Sequence, residues 1–170
     1  MRKIIPTLFV MVLVFACASL RKFPIVNRQP VTVKTFLERP FGESESVKVL
    51  SKQFGESVKI KRMLRRNNHD AQKVDTIFQF YHGKSKVFVY KTSYNKEMLL
   101  GGVIFDSKFP MINGIVPGIT REAFFKSFID LESSKADSIN LNNKELTLKY
   151  TFIFSSKGIL KKISFSLYVD

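Results

Sequence analysis

The sequence predicts an α+β domain in which helices pack on one face of an antiparallel sheet, built as two tandem helix-plus-hairpin repeats. Three observations predict it. Two amphipathic stretches, 44–57 and 120–130, each begin at a Ser or Thr that can cap a helix. Each is followed, after a gap, by two alternating aromatic runs broken at a glycine turn, the pattern of a half-buried hairpin. The two halves also overlay. Shifted by 74 positions, Ser46 falls on Thr120, Leu50 on Phe124, Phe54 on Phe128, Phe78 on Phe152 and Phe80 on Phe154. One inserted residue then sets Gly83 on Gly158, Phe88 on Ile163 and Tyr90 on Phe165. A period this long suggests a duplicated supersecondary unit rather than a solenoid.

The chain divides accordingly into an export signal (1–16), a tether (17–41), a first unit (42–105), a connector (106–118) and a second unit (119–170). Arg2 and Lys3 form a short basic start, and every residue from 8 to 16 is apolar. That run is too short to span a bilayer, which takes about 20 residues, and it fits an export signal. Two cuts are open. Ala16-Cys17-Ala18 would release a soluble chain starting at Ser19, whereas Val14-Phe15-Ala16-Cys17 resembles the bacterial lipobox, with Phe15 bulkier than usual. An uncleaved anchor is the third possibility. Cys17 is the lone cysteine, so no intramolecular disulfide forms, and lipidation gives an otherwise unpaired exported thiol a purpose. The expected location is a membrane-anchored lipoprotein facing the periplasm, or a secreted soluble protein if the cut follows Ala18.

Pro24, Pro30 and Pro40 mark the tether as extended, and "VTVKTF" (31–36) could pair as an edge strand. In 44–57, Val47, Leu50 and Phe54 share a helical face, and Gly55 supplies the stop. The stretch 57–70 allows a strand or a helix before a turn at "NNHD". Two strands follow around His82-Gly83-Lys84, then a third at 98–105, bulged at Gly101-Gly102. After the connector, Thr120 caps "REAFFKSFID", with Ala123, Phe124 and Phe128 on one face. Residues 131–145 read as a polar loop, and "LTLKYTFIF" and "LKKISFSLYV" close the chain as a hairpin turning at 155–158.

Composition narrows the function. The chain carries 28 Lys and Arg against 14 Asp and Glu, a formal net charge of +14, with 17 Phe and no Trp. Export makes nucleic acid an unlikely partner, and no zinc-finger, RRM or KH signature is present. The densest basic run is Lys59, Lys61, Arg62, Arg65 and Arg66, a patch suited to an anionic protein or leaflet, or to plain solvation. His69-Asp70 is the nearest approach to a catalytic or metal pair, but further ligands are lacking and His82 sits on another turn. No G-x-S-x-G, P-loop or H-E-x-x-H occurs. Neither an enzyme, a cofactor nor a metal site is expected. Phe78/Phe80 and Tyr150/Phe152/Phe154 read as the core face of a half-buried sheet rather than the lining of a lipid pocket. The opposite face of the last hairpin, Thr151, Ile153, Ser164, Ser166 and Tyr168, is the candidate partner face.

"GIVPGITREAFFKSF", a polar gap, an aromatic strand and "FSSKGILKKISF" together resemble the BamE/SmpA group of small envelope lipoproteins. The matching positions are Gly118, Ile119, Thr120, Phe154, Gly158 and Leu160. Two such units in tandem resemble the fold of the β-lactamase-inhibitor protein. The first half lacks the Gly-Ile-Thr turn. The resemblance implies a binding scaffold without catalytic residues. The function expected is therefore a non-catalytic envelope lipoprotein that binds another envelope protein. The alternative is a periplasmic carrier of lipid or another apolar ligand.

Overall fold

A computed structural model of the chain describes residues 29–42, 44–67, 69–145 and 147–167. The export signal, Cys17, the first part of the tether and Tyr168 lie outside them. In chain order the elements are α1 (Val33–Glu38), α2 (Val47–Phe54), β1 (Lys59–Arg66), β2 (Val74–His82), β3 (Ser85–Lys91) and β4 (Glu97–Ile104). A single 3-10 turn (Ile112–Gly114) then leads to α3 (Arg121–Phe125), β5 (Ser138–Asn142), β6 (Leu148–Phe154) and β7 (Leu160–Leu167). All seven strands form one antiparallel sheet in the order β1-β2-β3-β4-β7-β6-β5. Two meanders, β1–β4 and β5–β7, meet where β4 pairs with β7.

This corrects the expected fold class. The molecule is predominantly antiparallel β, not a balanced α+β domain of helix-plus-hairpin repeats. Its three helices among the described residues have only six, eight and five residues. The largest shortfall is α3. The amphipathic pattern runs to Asp130, yet the helix stops at Phe125 because residues 127–129 turn to pair with the chain at Val31. The Val31 N–H donates to the Ser127 carbonyl at 3.1 Å, and the Ile129 N–H to the Val31 carbonyl at 3.0 Å. Main-chain pairing with a distant segment overrides the local period.

The overlay of the halves also fails in one place. Ile163 and Phe165 are buried, but in β3 it is Val87 and Val89 that point into the core, while Phe88 and Tyr90 point away. A register error of one residue exchanges the faces of a strand. The "polar loop" 131–145 contains β5, whose Ile139 and Leu141 are buried in strict alternation with exposed Ser and Asn. The stretch 57–70 resolves as a strand, in full register with β2 from Lys59↔Tyr81 to Arg66↔Val74.

Residues 31–36 are not an edge strand. The Thr32 hydroxyl caps α1 by accepting from the Thr35 N–H, and the rest of the expected tether from there onward belongs to the folded body. Phe36 is fully buried, its ring 5.2 Å from Tyr150 and 5.4 Å from Phe128. The expected helix at 44–57 is found as α2, capped by Ser46 and ended by Gly55 at φ 74°. In β4, Leu100 is the extra residue of a bulge opposite Phe88/Val89. Gly102 lets the Phe165 ring lie across the strand, because a Cβ there would come within 2.8 Å of it.

Truncating Phe36 should therefore destabilise the whole domain, not merely loosen a tether. Phe36→Ala is expected to cost about 3–5 kcal/mol, the usual range for a buried aromatic. A shifted urea midpoint with unchanged slope checks it.

Candidate functional site

Helices and connector cover only one face of the sheet, and the other face is the candidate site. Strand residues that alternate with the core emerge there. Near its middle lie Tyr81 on β2, Phe88 and Tyr90 on β3 and Val103 on β4, all half-buried by their neighbours with no layer above them among the described residues. Phe105, just past β4, is 43 % exposed and lies beneath the Lys162 ammonium, 5.8 Å from the ring centroid. Lys59, Lys61, Arg65, Lys86, Lys149 and Lys162 supply cations on this face, and Asp75 is the one carboxylate that its described strand residues carry. The face is thus cationic and aromatic at once.

Four of the expected partner-face residues lie on it. Thr151 sits opposite Ser164, and Ile153 (36 % exposed) is next to Lys162. Ser166 faces Gly101 across the β4–β7 junction. Tyr168 is outside the described residues. Sequence reasoning missed the aromatic half of the face because the overlay set Phe88 and Tyr90 on Ile163 and Phe165, which are buried. The signal was present in "KVFVYK", where Val87/Val89 and Phe88/Tyr90 alternate equally well.

The basic run is β1, one edge of the sheet. Lys59, Lys61 and Arg65 point to the open face, and Ile60, Arg62, Leu64 and Arg66 to the helix side, as alternation requires.

Asp75 is buried but not idle. It accepts hydrogen bonds from Tyr90 Oη, from Asn67 Nδ2 at 2.7 Å and from the Ser93 N–H at 2.8 Å. The Tyr90 hydroxyl most of all, with those amides and nearby Arg65, holds its carboxyl below the usual range. This network ties the β1–β2 turn to the β3–β4 turn. His69 and Asp70 belong to the same turn. Asp70 pairs with Lys73 at 2.9 Å and accepts from the Gln72 N–H at 3.0 Å, so its oxygens serve turn geometry.

His82, Asp106 and Ser85 do come together, with geometry unlike a nucleophilic triad. The carboxylate lies in the middle: Asp106 Oδ2 is 2.7 Å from Ser85 Oγ and 3.2 Å from His82 Nδ1. In a triad the imidazole lies between the other two. Ser85 is fully buried and also accepts from the Phe105 N–H at 2.9 Å. Burial pushes the Asp106 carboxyl up, but the Ser85 hydroxyl, the Lys108 amide and His82 outweigh it and hold it low. The cluster latches the β2–β3 turn to the segment leaving β4.

The residues shared with the small-lipoprotein motif also form one knot. The Gly118 N–H donates to the Leu160 carbonyl at 2.8 Å, the Leu160 N–H to Ile119 at 2.9 Å, and the Arg121 N–H to Gly158 at 2.7 Å. Thr120 caps α3, and the Arg121 guanidinium lies 4.8 Å from the centre of the Phe154 ring. Their role in this chain is to clasp α3 onto the β6–β7 turn.

No protein-family model, curated protein or solved structure matches the chain. What the fold and site define is a class: a one-sided antiparallel sheet with a cationic, aromatic face left open.

One buried pair lacks partners. Neither Glu45 Oε1 nor the Tyr150 hydroxyl has a hydrogen bond. Burial pushes the Glu45 carboxyl up to about 7, against a weaker opposing bond from the Phe41 backbone. Burial, and the Glu45 charge, push the Tyr150 phenol up as well. Folding thus raises the proton affinity of Glu45. Its contribution to stability is full below the unfolded value near 4.5 and is lost as pH rises through about 7. Urea midpoints across that window should fall with rising pH in the native chain, and Glu45→Gln should flatten that fall.

Proposed function

We propose that the chain is a non-catalytic bacterial envelope lipoprotein, held to a membrane through Cys17 and acting as a protein-binding or scaffold module. The observation that carries this reading is the uncovered sheet face. Burying the other face consumed the helices, the connector and most of the phenylalanines. The open face still presents aromatic side chains ringed by cations, a composition suited to a protein partner with an acidic surface. The lipobox-like Val14-Phe15-Ala16-Cys17 supports the anchor, and the resemblance to small envelope lipoproteins supports the periplasmic side of a membrane as its location.

The alternative, a carrier of lipid or another apolar ligand, calls for an enclosed apolar chamber. Two concavities stand out, of about 430 Å³ beside Arg121 and Phe125 and about 340 Å³ beside Arg62 and Phe78. Both open onto the surface, so neither favours that reading.

Two outcomes are expected. Cells given radiolabelled fatty acid should label the native chain and not Cys17→Ser; equal labelling of both would remove the anchor. Photo-crosslinkers placed at Phe88, Lys86 or Thr151 should each trap the same discrete protein in intact cells, and one placed at Val49 on the helix side should not. Adducts to lipid alone from the open-face positions would favour the carrier instead.

A further inference from the structure

Strand β1 does more than end the sheet. Seven of its eight residues are exposed, and its outer edge has no neighbouring strand among the described residues. An edge strand is commonly blunted with lysine, which deters edge-to-edge pairing without any partner. Blunting alone would not leave aliphatic side chains beside the charges. Here Leu64 is 67 % exposed and Ile60 44 % exposed, and Val74, opposite Arg66 on β2, is 52 % exposed. All three lie on the helix-side face of the ribbon, together with Arg62 and Arg66. The groove of about 340 Å³ on that face is lined by Arg62, Val74, Phe78 and Lys91, among others. On the other face stand Lys59 and Lys61, with Arg65 beside Asp75.

We propose that the β1–β2 ribbon docks on an anionic lipid leaflet, with Ile60, Leu64 and Val74 at the boundary between headgroups and chains, and Lys59, Lys61, Arg62 and Arg66 on lipid phosphates. A leaflet offers dense negative charge and apolar material within one interface. Long cationic stems lie along the apolar boundary while their charged heads stay among headgroups. Each cation near such a surface adds to the attraction within a Debye length. The position in the fold is also favourable. The chain leading from residue 29 enters beside α3, through the Val31–Phe128 bridge, whereas β1 is the far edge of the sheet from β5. Six strand spacings of about 4.8 Å separate the two edges, about 29 Å. Contact at β1 therefore adds a point of attachment at the sheet edge, away from the Val31–Phe128 bridge where the described chain enters the body. The inference shares Lys59 and Lys61 with the open face but rests on the helix-side Ile60, Leu64, Val74, Arg62 and Arg66, and does not require Cys17 to be acylated.

The chain has no Trp, so full-length Leu64→Trp carries a single tryptophan, excited apart from the tyrosines, at the proposed contact. Its emission should shift to the blue, and be quenched by brominated chains, on vesicles of phosphatidylcholine with phosphatidylglycerol. On pure phosphatidylcholine, where the apolar leader can still insert, it should do neither. Raising salt from about 0.1 M to about 1 M shortens the screening length from about 10 Å to about 3 Å and should abolish the shift. Replacing Lys59, Lys61, Arg62 and Arg66 with Gln in that background should weaken partition to the anionic vesicles by at least about tenfold. These side chains are exposed, so an unchanged circular dichroism melt is expected to accompany the loss. An equal shift on neutral vesicles would overturn the proposal. So would an unmoved Leu64→Trp on anionic vesicles to which a Phe9→Trp control shows the leader bound. A shift with polyglutamate but not with anionic vesicles would also overturn it, and would assign the edge to an acidic protein.

Discussion

A seven-stranded sheet must bury one face, and this chain has little helix with which to bury it. The three helices total fewer residues than the sheet's three longest strands. Large aromatic side chains make up the difference. Phe36 from α1, Phe54 from α2 and Phe124 from α3 each reach the sheet and meet aromatic partners there, Phe54 with Phe80 at 5.5 Å and Phe124 with Phe152 at 4.7 Å. Tyr150 and Phe165 stack across the β6–β7 pair at 5.2 Å. Edge-to-face rings fill thickness that a longer helix would otherwise supply. That aromatic layer joins with buried aliphatic residues from both meanders, such as Leu99, Ile104, Leu141 and Ile163, in one core across the β4–β7 pairing.

The same constraint shapes the remaining surface. Among the described residues, every helix and the long connector are committed to one side, which leaves no described layer over the other. Tyr81, Phe88 and Tyr90 stay partly shielded only by their strand neighbours and by the turns that Asp75 ties together. Polar clusters that look chemical in isolation serve this purpose. The Asp75 network and the His82–Asp106–Ser85 latch each fix a turn at one end of the open face, which keeps its strands in register. Rigid strands position such contacts better than loops do.

Buried polarity is tolerated where geometry satisfies it and is costly where it does not. Asp75 illustrates the first case, with its oxygens answered by Tyr90, Asn67 and Ser93. Glu45 and Tyr150 illustrate the second. Glu45 Oε1 and the Tyr150 hydroxyl are buried without a hydrogen bond, and only the Phe41 backbone answers the Glu45 carboxyl.

The sequence by itself determined whatever depends on neighbours within a few residues. Ser46 and Gly55 bound α2, the turn at Gly83-Lys84 joins β2 to β3, and the alternation of Tyr150, Phe152 and Phe154 marks a core face. The charge on β1 and its division between two faces were equally legible once a strand was assumed. Tertiary structure decided the rest. Whether Val87/Val89 or Phe88/Tyr90 entered the core was settled by register with β2, whose two-residue turn sets Val87 opposite Phe80 and Val89 opposite Phe78. Phe36, Leu37 and Phe41 became core because Phe36 packs against Phe128, Tyr150 and Phe152 from distant segments, not because of any local signal. α3 was cut short by pairing at Val31, a contact between segments about a hundred residues apart. The lesson is physical: periodicity is local, but burial is a property of what lies opposite, and in a sheet the opposite strand alone chooses the face.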